Sequence, residues 1–269
     1  MGDSKTSRAL LRVFTALVVV FLFAPIVVMI VFSFNDPAGR QNITWQGFTF
    51  ENYLDIWSRP QITGPMVTSL AIAAISTVLA TTFGTMIALA LSRYEFRGRG
   101  ALNLLIFIPM AAPEIILGAS LLTMWISIGV PRGFLTILIA HVMFSISFVV
   151  VTVRSRLIGF DRHLEEAAGD LGANGLQTFL RVTLPLIAPG VLAAALLTFA
   201  LSVDDFVITN FNAGSTITFP LFVWGAARVS VPPQINIIAT IIFFVTLAFM
   251  LLTVLQQRRA ERMASVRPG

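Results

Sequence analysis

Long apolar runs alternate with short polar connectors along this chain. Six of the runs have about the length that a helix needs to cross roughly 30 Å of hydrocarbon, and they lie at about 10–34, 66–92, 101–128, 133–153, 186–208 and 234–256. Arg-bearing or Pro/Gly-bearing connectors separate them. The pattern therefore predicts an all-α, polytopic membrane protein with six transmembrane helices, in which residues 1–269 form a single transmembrane domain.

Residues 160–185, between the fourth and fifth runs, are polar and helix-prone, and we call them the elbow. Asp161 is placed to cap a first short helix, whose apolar positions repeat at helical spacing at Leu164, Ala168 and Leu171. Gly172 follows, where a glycine can take a positive φ and end the helix. The first half of the elbow thus predicts one short helix and a turn.

The second half of the elbow predicts another short helix. Asn174, with Gln177 three residues later, resembles a capping pair. An apolar face then consists of Leu176, Phe179 and Leu180, and Pro185 ends the unit and introduces the next span. We therefore expect a helix–turn–helix on the membrane surface.

Such an elbow is either a solvated connector or a docking surface. Small residues favour docking because they let another backbone approach closely, and they are Ala167, Ala168 and Gly169. Acidic residues offer charge at the rim of that surface, and they are Glu165, Glu166 and Asp170.

Composition supports a membrane chain and excludes several chemistries. Hydrophobic residues make up 57% of the chain and charged residues 12%, whereas about a quarter of the residues of a soluble domain are charged. The chain has no cysteine, which excludes disulfides, thiol catalysis and Cys-based metal sites. His141 and His163 have no second His or Cys at ligand spacing, so we expect no metal site. A helix–helix hydrogen bond or an exposed position accounts for each of them.

The basic residues are divided unevenly between the two sides of the predicted bundle. Fourteen of the 18 Lys and Arg residues lie at the two ends of the chain, in the 93–100 connector and in the 154–185 connector. The opposite connectors hold the other four, which are Arg40, Arg59, Arg132 and Arg228. Because positive loops stay in the cytoplasm, both termini and the elbow should be cytoplasmic. This alternation opposes a nucleic-acid-binding role for the basic charge.

Three acids lie within predicted spans, namely Glu114, Asp204 and Asp205. Counted from the cytoplasmic ends of their spans, Glu114 and Asp204 each lie about 20 Å up a helix, so we expect them at one level. Pro109 and Pro113 interrupt the third span just before Glu114, as in broken helices that line a pathway. The acids are either structural, by protonation, pairing or an interfacial position, or they lower the barrier for a cationic substrate. No basic residue lies inside spans two to six.

The elbow resembles the "EAA…G………I.LP" segment of permease subunits of bacterial ABC importers. The matching residues are Glu166, Ala167, Ala168, Gly172, Leu184 and Pro185, and Val182 stands in place of the family's usual Ile. The resemblance implies a type I importer permease fold, with the elbow seated on an ATPase subunit and coupling ATP use to the spans. It assigns the coupling role to the six matching residues, and we expect Glu165 and Asp170 to take part through their charge at the rim.

The chain as a whole is similar to the second permease subunit of spermidine/putrescine importers. The similarity is carried by "PMAAPEIILG", "LSVDDFVIT", "TFPLFVWGAARVSVPPQINIIAT" and a "W.GFT..NY" stretch beginning at Trp45. One departure is Gln234, where such permeases often have Glu; permeases for other organic solutes share much of the pattern. Polyamine transport is therefore implied, with another small organic solute or ion of the same family as the alternative.

The resemblance also implies partners. They are a homologous second permease subunit, two ATPase subunits, an external substrate-binding protein and the bilayer of a bacterial inner membrane. No G-x-x-x-x-G-K-[ST] phosphate loop occurs in the chain, so ATP and Mg²⁺ would be used by the ATPase subunits, with no cofactor on this chain and no covalent step catalysed by it. Two rival classes are an integral-membrane enzyme and an ion channel. The enzyme would need a nucleophile–base pair or a metal cluster at membrane depth. The channel would need no elbow that docks an ATPase.

Overall fold

The computed structural model of the protein describes residues 5–39, 41–161, 163–229 and 231–265. Within them the regular elements are twelve α-helices and two short irregular helical turns. The first six helices are α1 Lys5–Phe32, α2 Glu51–Leu54, α3 Pro60–Arg93, α4 Arg99–Ala111, α5 Glu114–Ser127 and α6 Phe134–Leu157. The other six are α7 His163–Asp170, α8 Gly175–Thr178, α9 Leu184–Asp204, α10 Val207–Asn212, α11 Phe219–Val229 and α12 Pro233–Ser265. A 3-10 turn covers Asp55–Ser58 and a π-helical turn covers Phe179–Thr183.

The helices divide into two compact units, one formed by Thr63–Phe222 and the other by the described residues before and after it. In the unit Thr63–Phe222, α6 packs along α9 and against α4, while α10 packs against α5 and α6. Its main core is built of small and β-branched side chains, including Ala80, Ala88, Val149, Val153 and Ala194. Such side chains allow helix axes to approach closely.

The small-residue stripe of α3 shows this close approach. Ala80 and Ala88 are fully buried, and Gly84 lies between them. A Cβ added at Gly84 would stand 2.6 Å from the Cβ of Val149 on α6, far inside van der Waals contact. The four-residue spacing of Ala80, Gly84 and Ala88, which predicts close helix packing, is therefore realised against α6.

The third predicted span, 101–128, is not one straight helix. It consists of α4 and α5, which are bent by 107° to each other at a short break. Ala112 is extended, with φ −75° and ψ 140°, and Pro113 follows it. A proline pushes the preceding residue out of the helical region and removes a backbone donor, which accounts for the break. Pro109 remains inside α4, so only Pro113 interrupts the helix.

The fifth predicted span, 186–208, has different ends in the structure. The helix is continuous over Gly175–Asp204 through the π-helical turn, so Pro185 does not end the elbow as expected. We attribute this to the widened turn, which accommodates a proline ring that would otherwise clash with the carbonyl four residues back. The helix then ends at Asp204, because Asp205 is extended at ψ 117°, and α10 begins two residues later.

The other unit holds α1, α2 and α12, and α1 and α2 both contact α12. After α1 the chain folds around Asn35, which is fully buried. Its amide donates to the Asn42 Oδ1 at 2.7 Å and to the Thr44 carbonyl at 2.8 Å, and its Oδ1 accepts from the Gln46 N–H at 2.8 Å. A connector without long helices is thus ordered by one satisfied amide.

The prediction of an all-α polytopic membrane fold is confirmed. By length and composition, four of the described helices can cross a membrane, and the bent pair α4–α5 makes a fifth if it counts as one span. The four are Ser7–Phe32, Pro60–Arg93, Phe134–Leu157 and Gly175–Asp204. The predicted sixth span, 234–256, lies within α12, Pro233–Ser265.

Candidate functional site

The elbow is a helix–turn–helix whose turn is built by local hydrogen bonds. Gly172 has φ +83°, a left-handed value that favours glycine. Its N–H donates to the Gly169 carbonyl at 2.8 Å, and the Ala173 N–H donates to the Ala168 carbonyl at 3.0 Å. This pair of bonds is the Schellman arrangement that closes a helix C-terminus. The predicted helix end at Gly172 is therefore confirmed.

Both helix starts in the elbow are capped as the sequence predicts. The Asp161 Oδ1 accepts from the His163 N–H at 3.0 Å, at the start of α7. The Asn174 Oδ1 accepts from the Gln177 N–H at 2.9 Å, while the Gln177 Oε1 accepts from the Asn174 N–H at 3.0 Å. A reciprocal capping box satisfies two backbone donors that the helix itself leaves open. The turn between α7 and α8 is therefore fixed on both sides.

The predicted apolar face of the elbow is turned to the surface. Leu171 is 89% exposed and Leu176 is 67% exposed. Ala167, Glu166 and Asp170 are exposed as well. Clustered apolar side chains with a polar rim mark interaction sites on protein surfaces. The surface composed of Leu164, Glu166, Ala167, Asp170, Leu171 and Leu176 is available to a partner, and we call it the elbow face.

His163 and Glu166 form an ion pair on the elbow face, with His163 Nδ1 and Glu166 Oε2 3.1 Å apart. The hydrogen bond that the His163 Nδ1–H donates to Glu166 raises the pKa of His163 above its ordinary value of 6.5, and the nearby Asp161 carboxylate acts in the same direction. The imidazolium form therefore gains stability from its neighbours near neutral pH.

Glu165 differs from its neighbour, and the expectation that it offers charge at the rim is wrong. Its carboxylate binds the Arg93 guanidinium and the Thr183 hydroxyl, and the Arg93 Nη2 also lies 3.2 Å from the Thr183 Oγ1. Arg93 is the last residue of α3, and Thr183 is fully buried at the end of the π-helical turn. We call this three-residue contact the tether, because it joins the elbow to α3 and to the start of α9.

The last two residues of the predicted coupling segment lie within helix rather than on the elbow face. Leu184 is half-buried and Pro185 is exposed, both in the first turn of α9. They directly follow Thr183 of the tether. Sequence reasoning missed Arg93 as part of this region; its position at the end of the second predicted span, beside an Arg-rich connector, was the available signal.

The three acids predicted within spans have three different environments. Glu114 is exposed at the first turn of α5, directly after the break in the third span. Asp204 is exposed at the last turn of α9. The Asp205 side chain is only 12% exposed, and it faces His141. The prolines thus place Glu114 at a helix start, whereas Asp204 and Asp205 flank a helix end.

His141 makes the helix–helix hydrogen bonds that the sequence suggests. Its Nδ1 lies 2.7 Å from the Ser202 Oγ, and its Nε2 lies 2.9 Å from the Thr209 Oγ1 and 3.2 Å from the Asp205 Oδ2. One histidine on α6 therefore bonds to α9, to α10 and to the junction between them. Its pairing with Asp205, 64 positions away in the chain, leaves no periodic signal in the sequence.

Gln234, the departure from the polyamine-permease pattern, is buried at the start of α12. Only 1% of its surface is exposed, and its Oε1 lacks a hydrogen-bond partner among the described residues. Within the described residues no three His, Cys, Asp or Glu side chains are grouped as a metal site would require.

Comparison with known proteins agrees with this architecture. Residues 80–265 match the family described as binding-protein-dependent transport system inner membrane component. The chain is 36% identical over 255 residues to the spermidine/putrescine transport system permease protein PotC of Haemophilus influenzae, covering 94% of this chain and 98% of the relative. It is 38% identical over 230 residues to the putrescine transport system permease protein PotI of Escherichia coli, covering 82% of this chain and 81% of the relative.

A solved structure has the same fold. It is the crystal structure of a bacterial ABC transporter involved in the import of the acidic polysaccharide alginate. The match has a TM-score of 0.65 at 20% identity and covers 96% of this chain and 99% of that chain. At this identity the likeness concerns the fold alone.

Proposed function

Because this chain belongs to the family of binding-protein-dependent transport system inner membrane components, we propose that it is the permease subunit of an ATP-driven importer of polyamines. It is a multi-pass protein of the bacterial inner membrane. Identity of 36% along nearly the whole length of a spermidine/putrescine permease carries the assignment. The acids of the predicted path agree with an ammonium-bearing substrate, since carboxylates stabilise cations at membrane depth.

Uptake in cells that lack this chain tests the substrate. Labelled spermidine and putrescine should enter only when the chain is restored, and a panel of amino acids, sugars and inorganic ions should enter equally with and without it. Restored uptake of one of those other solutes, with no effect on polyamines, would instead assign the chain to another branch of the same family.

The acids provide a second test of the same proposal. Glu114 and Asp204 are both exposed at helix ends next to breaks in their spans. Glu114→Gln and Asp204→Asn keep the size of the side chain and remove its charge, so each should raise the KM for polyamine uptake. A KM equal to that of the unchanged protein in both variants would contradict the path.

We propose further that the elbow face seats an ATPase subunit. Two ATPase subunits, which use ATP and Mg²⁺, would act on this chain and on a homologous second permease, and an external binding protein would deliver the substrate. ATP-driven closure would move the elbow, and the spans would open alternately to the two sides. Capped helix ends at Gly172 and Asn174 suit this role, because a rigid element transmits a displacement that a loose loop would absorb.

Purification of the tagged complex tests the partners. Wild-type protein should carry an ATPase subunit with it, and Glu166→Lys should release that subunit or uncouple ATP use from uptake. Membrane insertion should be unchanged, because Glu166 is exposed on the elbow face. A complex without any ATPase subunit would refute the assignment.

The orientation is testable with a simple label because the chain has no cysteine of its own. We propose that both termini and the elbow are cytoplasmic. A single cysteine at Ile158, which is 82% exposed and lies in the same connector outside the elbow face, should react with a membrane-impermeant maleimide only after the cells are opened. A cysteine at Ile43, 66% exposed in the first external connector, should react in intact cells and is the matched control.

A further inference from the structure

A buried group of polar side chains closes the junction between α9 and α10. It consists of His141 on α6, Ser202 on α9, Asp205 in the junction and Thr209 on α10. His141 is 4% exposed and Thr209 is fully buried. We call these four residues the clasp. They bring three helices together where the backbone leaves helical geometry.

The donors and acceptors of the clasp require a hydrogen on Nε2 of His141. The Asp205 Oδ2 accepts from the Thr209 N–H at 2.7 Å and from the Thr209 hydroxyl at 2.7 Å. A hydroxyl has a single proton, so the Thr209 oxygen is left as an acceptor toward His141. Nε2 lies 2.9 Å from that oxygen and 3.2 Å from the carboxylate. It must therefore carry a hydrogen and donate toward both.

The second ring nitrogen extends the clasp toward α3. Nδ1 is 2.7 Å from the Ser202 hydroxyl, and the Ser202 Oγ is in turn 3.1 Å from the Ser76 Oγ on α3. Ser76 is fully buried and also lies 3.2 Å from the Ala73 carbonyl. Both nitrogens of His141 are thus engaged, which fixes the plane of the ring and its position between the helices.

Asp205 is consequently held in one orientation, whereas the adjacent Asp204 is exposed at the surface. Three groups contact the Asp205 Oδ2, and they tie the carboxylate to α6 and to the first turn of α10. Asp204 is exposed on the last turn of α9. Two adjacent aspartates therefore have separate tasks: one closes a helix junction, and the other is presented at its surface.

We propose that His141 is a positioning residue for transport, which acts through Asp205 to hold the geometry of the α9–α10 junction, while Asp204 faces the cation independently of this contact. This inference rests on the proposed function. Asp205 does not contact the substrate in this scheme; its carboxylate caps α10 and receives the proton on Nε2. The Asp-Asp pair supplies one substrate-facing carboxylate.

Uptake kinetics of paired variants test the scheme. His141→Leu and Asp205→Asn should each lower the maximal rate of uptake by about tenfold or more, to the same extent for spermidine and putrescine. Asp204→Asn is the matched neighbour and should raise KM, more for spermidine than for putrescine, because spermidine carries one more ammonium group. A rise in KM in Asp205→Asn that depends on substrate charge in this way would overturn the proposal.

Double variants test whether His141 and Asp205 act through one shared contact or independently of each other. His141→Leu with Asp205→Asn should be no slower than the slower single variant, since both changes break the same clasp. His141→Leu with Asp204→Asn should show the product of the two single effects. Multiplying effects in the first pair would refute the clasp. If His141→Leu reduces the amount of protein in the membrane, His141→Asn replaces it in the same cycle, because its amide reaches only the Nδ1 position and leaves Asp205 without the donor at Nε2.

A readout that needs no substrate distinguishes failure of this inference from failure of the proposed function. The melting temperature of the purified protein should show coupling between positions 141 and 205 and none between 141 and 204. If that coupling is present while polyamines are not transported, the clasp stands and the substrate assignment fails. Without the coupling, the clasp is refuted whatever the substrate.

Discussion

The tether makes a quantitative prediction about coupling. Arg93 at the end of α3 binds Glu165 on the elbow and contacts Thr183 at the start of α9. If the elbow moves the spans, the force passes through this contact as well as along the backbone. Arg93→Ala should therefore leave ATP hydrolysis by the complex in place while polyamine uptake falls.

The size of the effect follows from the burial of the pair. The Arg93 side chain is 30% exposed and the Glu165 side chain 19% exposed, so the pair is neither a surface pair nor fully buried. Exposed ion pairs contribute about 0–1 kcal/mol, and breaking a buried one costs about 3–5 kcal/mol. We expect about 2 kcal/mol for the tether, which corresponds to roughly a thirtyfold shift between attached and detached elbow.

The assay is the ratio of substrate transported to ATP hydrolysed, measured on the complex in liposomes. The ratio should fall by about tenfold or more in Arg93→Ala and in Glu165→Ala. Arg97→Ala, an exposed arginine of the same connector, should leave it unchanged. Exchanging the charges in Arg93→Glu with Glu165→Arg should restore part of the ratio, because the opposite charges still meet and Thr183 can donate to the new glutamate.

Two results would refute this reasoning. One is an unchanged ratio in Arg93→Ala at normal protein levels. The other is an exchanged pair that performs no better than the worse single variant.

Three further predictions concern the elbow and the bundle. Gly172→Ala forces a Cβ into a residue with φ +83°, at a cost of about 1–2 kcal/mol, and should speed limited proteolysis of the elbow. The hydrogen bond to Glu166 raises the pKa of His163 above 6.5, and the Asp161 carboxylate adds to the shift. This pair therefore stabilises α7 fully below pH 6.5, and the stabilisation is lost as the pH rises through the raised pKa. Glu166→Gln should reduce this pH dependence of proteolysis, with Asp161 accounting for the part that remains. Gly118→Ala places a Cβ 2.6 Å from the Phe211 ring. This overlap should reduce the free energy of unfolding by about 1–3 kcal/mol, which would appear as a lower melting temperature.

Matched glycines serve as controls for two of these changes. Gly169→Ala, inside α7 with no atom within 4 Å of an added Cβ, should not speed proteolysis. Gly225→Ala, which also meets nothing within 4 Å, should not lower the melting temperature. If the control variants had equally large effects, neither backbone strain at Gly172 nor steric overlap at Gly118 would explain the results.

What the sequence could predict was set by local interactions. The caps at Asp161 and Asn174 and the glycine turn at Gly172 each depend on residues within five positions of one another, so spacing was sufficient to find them. The break at Pro113 was predictable for the same reason. Its 107° angle was not, because a proline ends a helix without fixing the direction of the next one.

What the sequence could not predict depends on contacts between distant segments. Glu165 meets Arg93, 72 positions away, and His141 meets Ser202, 61 positions away. From charge alone, the sequence predicted Glu165 at the rim of the docking surface and Asp205 beside Asp204 in the substrate path. The tether and the clasp assign them other partners, because a half-buried carboxylate is most stable where donors surround it.

The π-helical turn at Phe179–Thr183 has a consequence for how this segment can change in evolution. The elbow and α9 share one uninterrupted helix over Gly175–Asp204, and each residue along a helix turns the chain by about 100°. Removing or adding one residue in that turn would rotate the elbow face relative to α9 while leaving every cap and every span intact. Substitutions should therefore be tolerated here far more readily than changes in length.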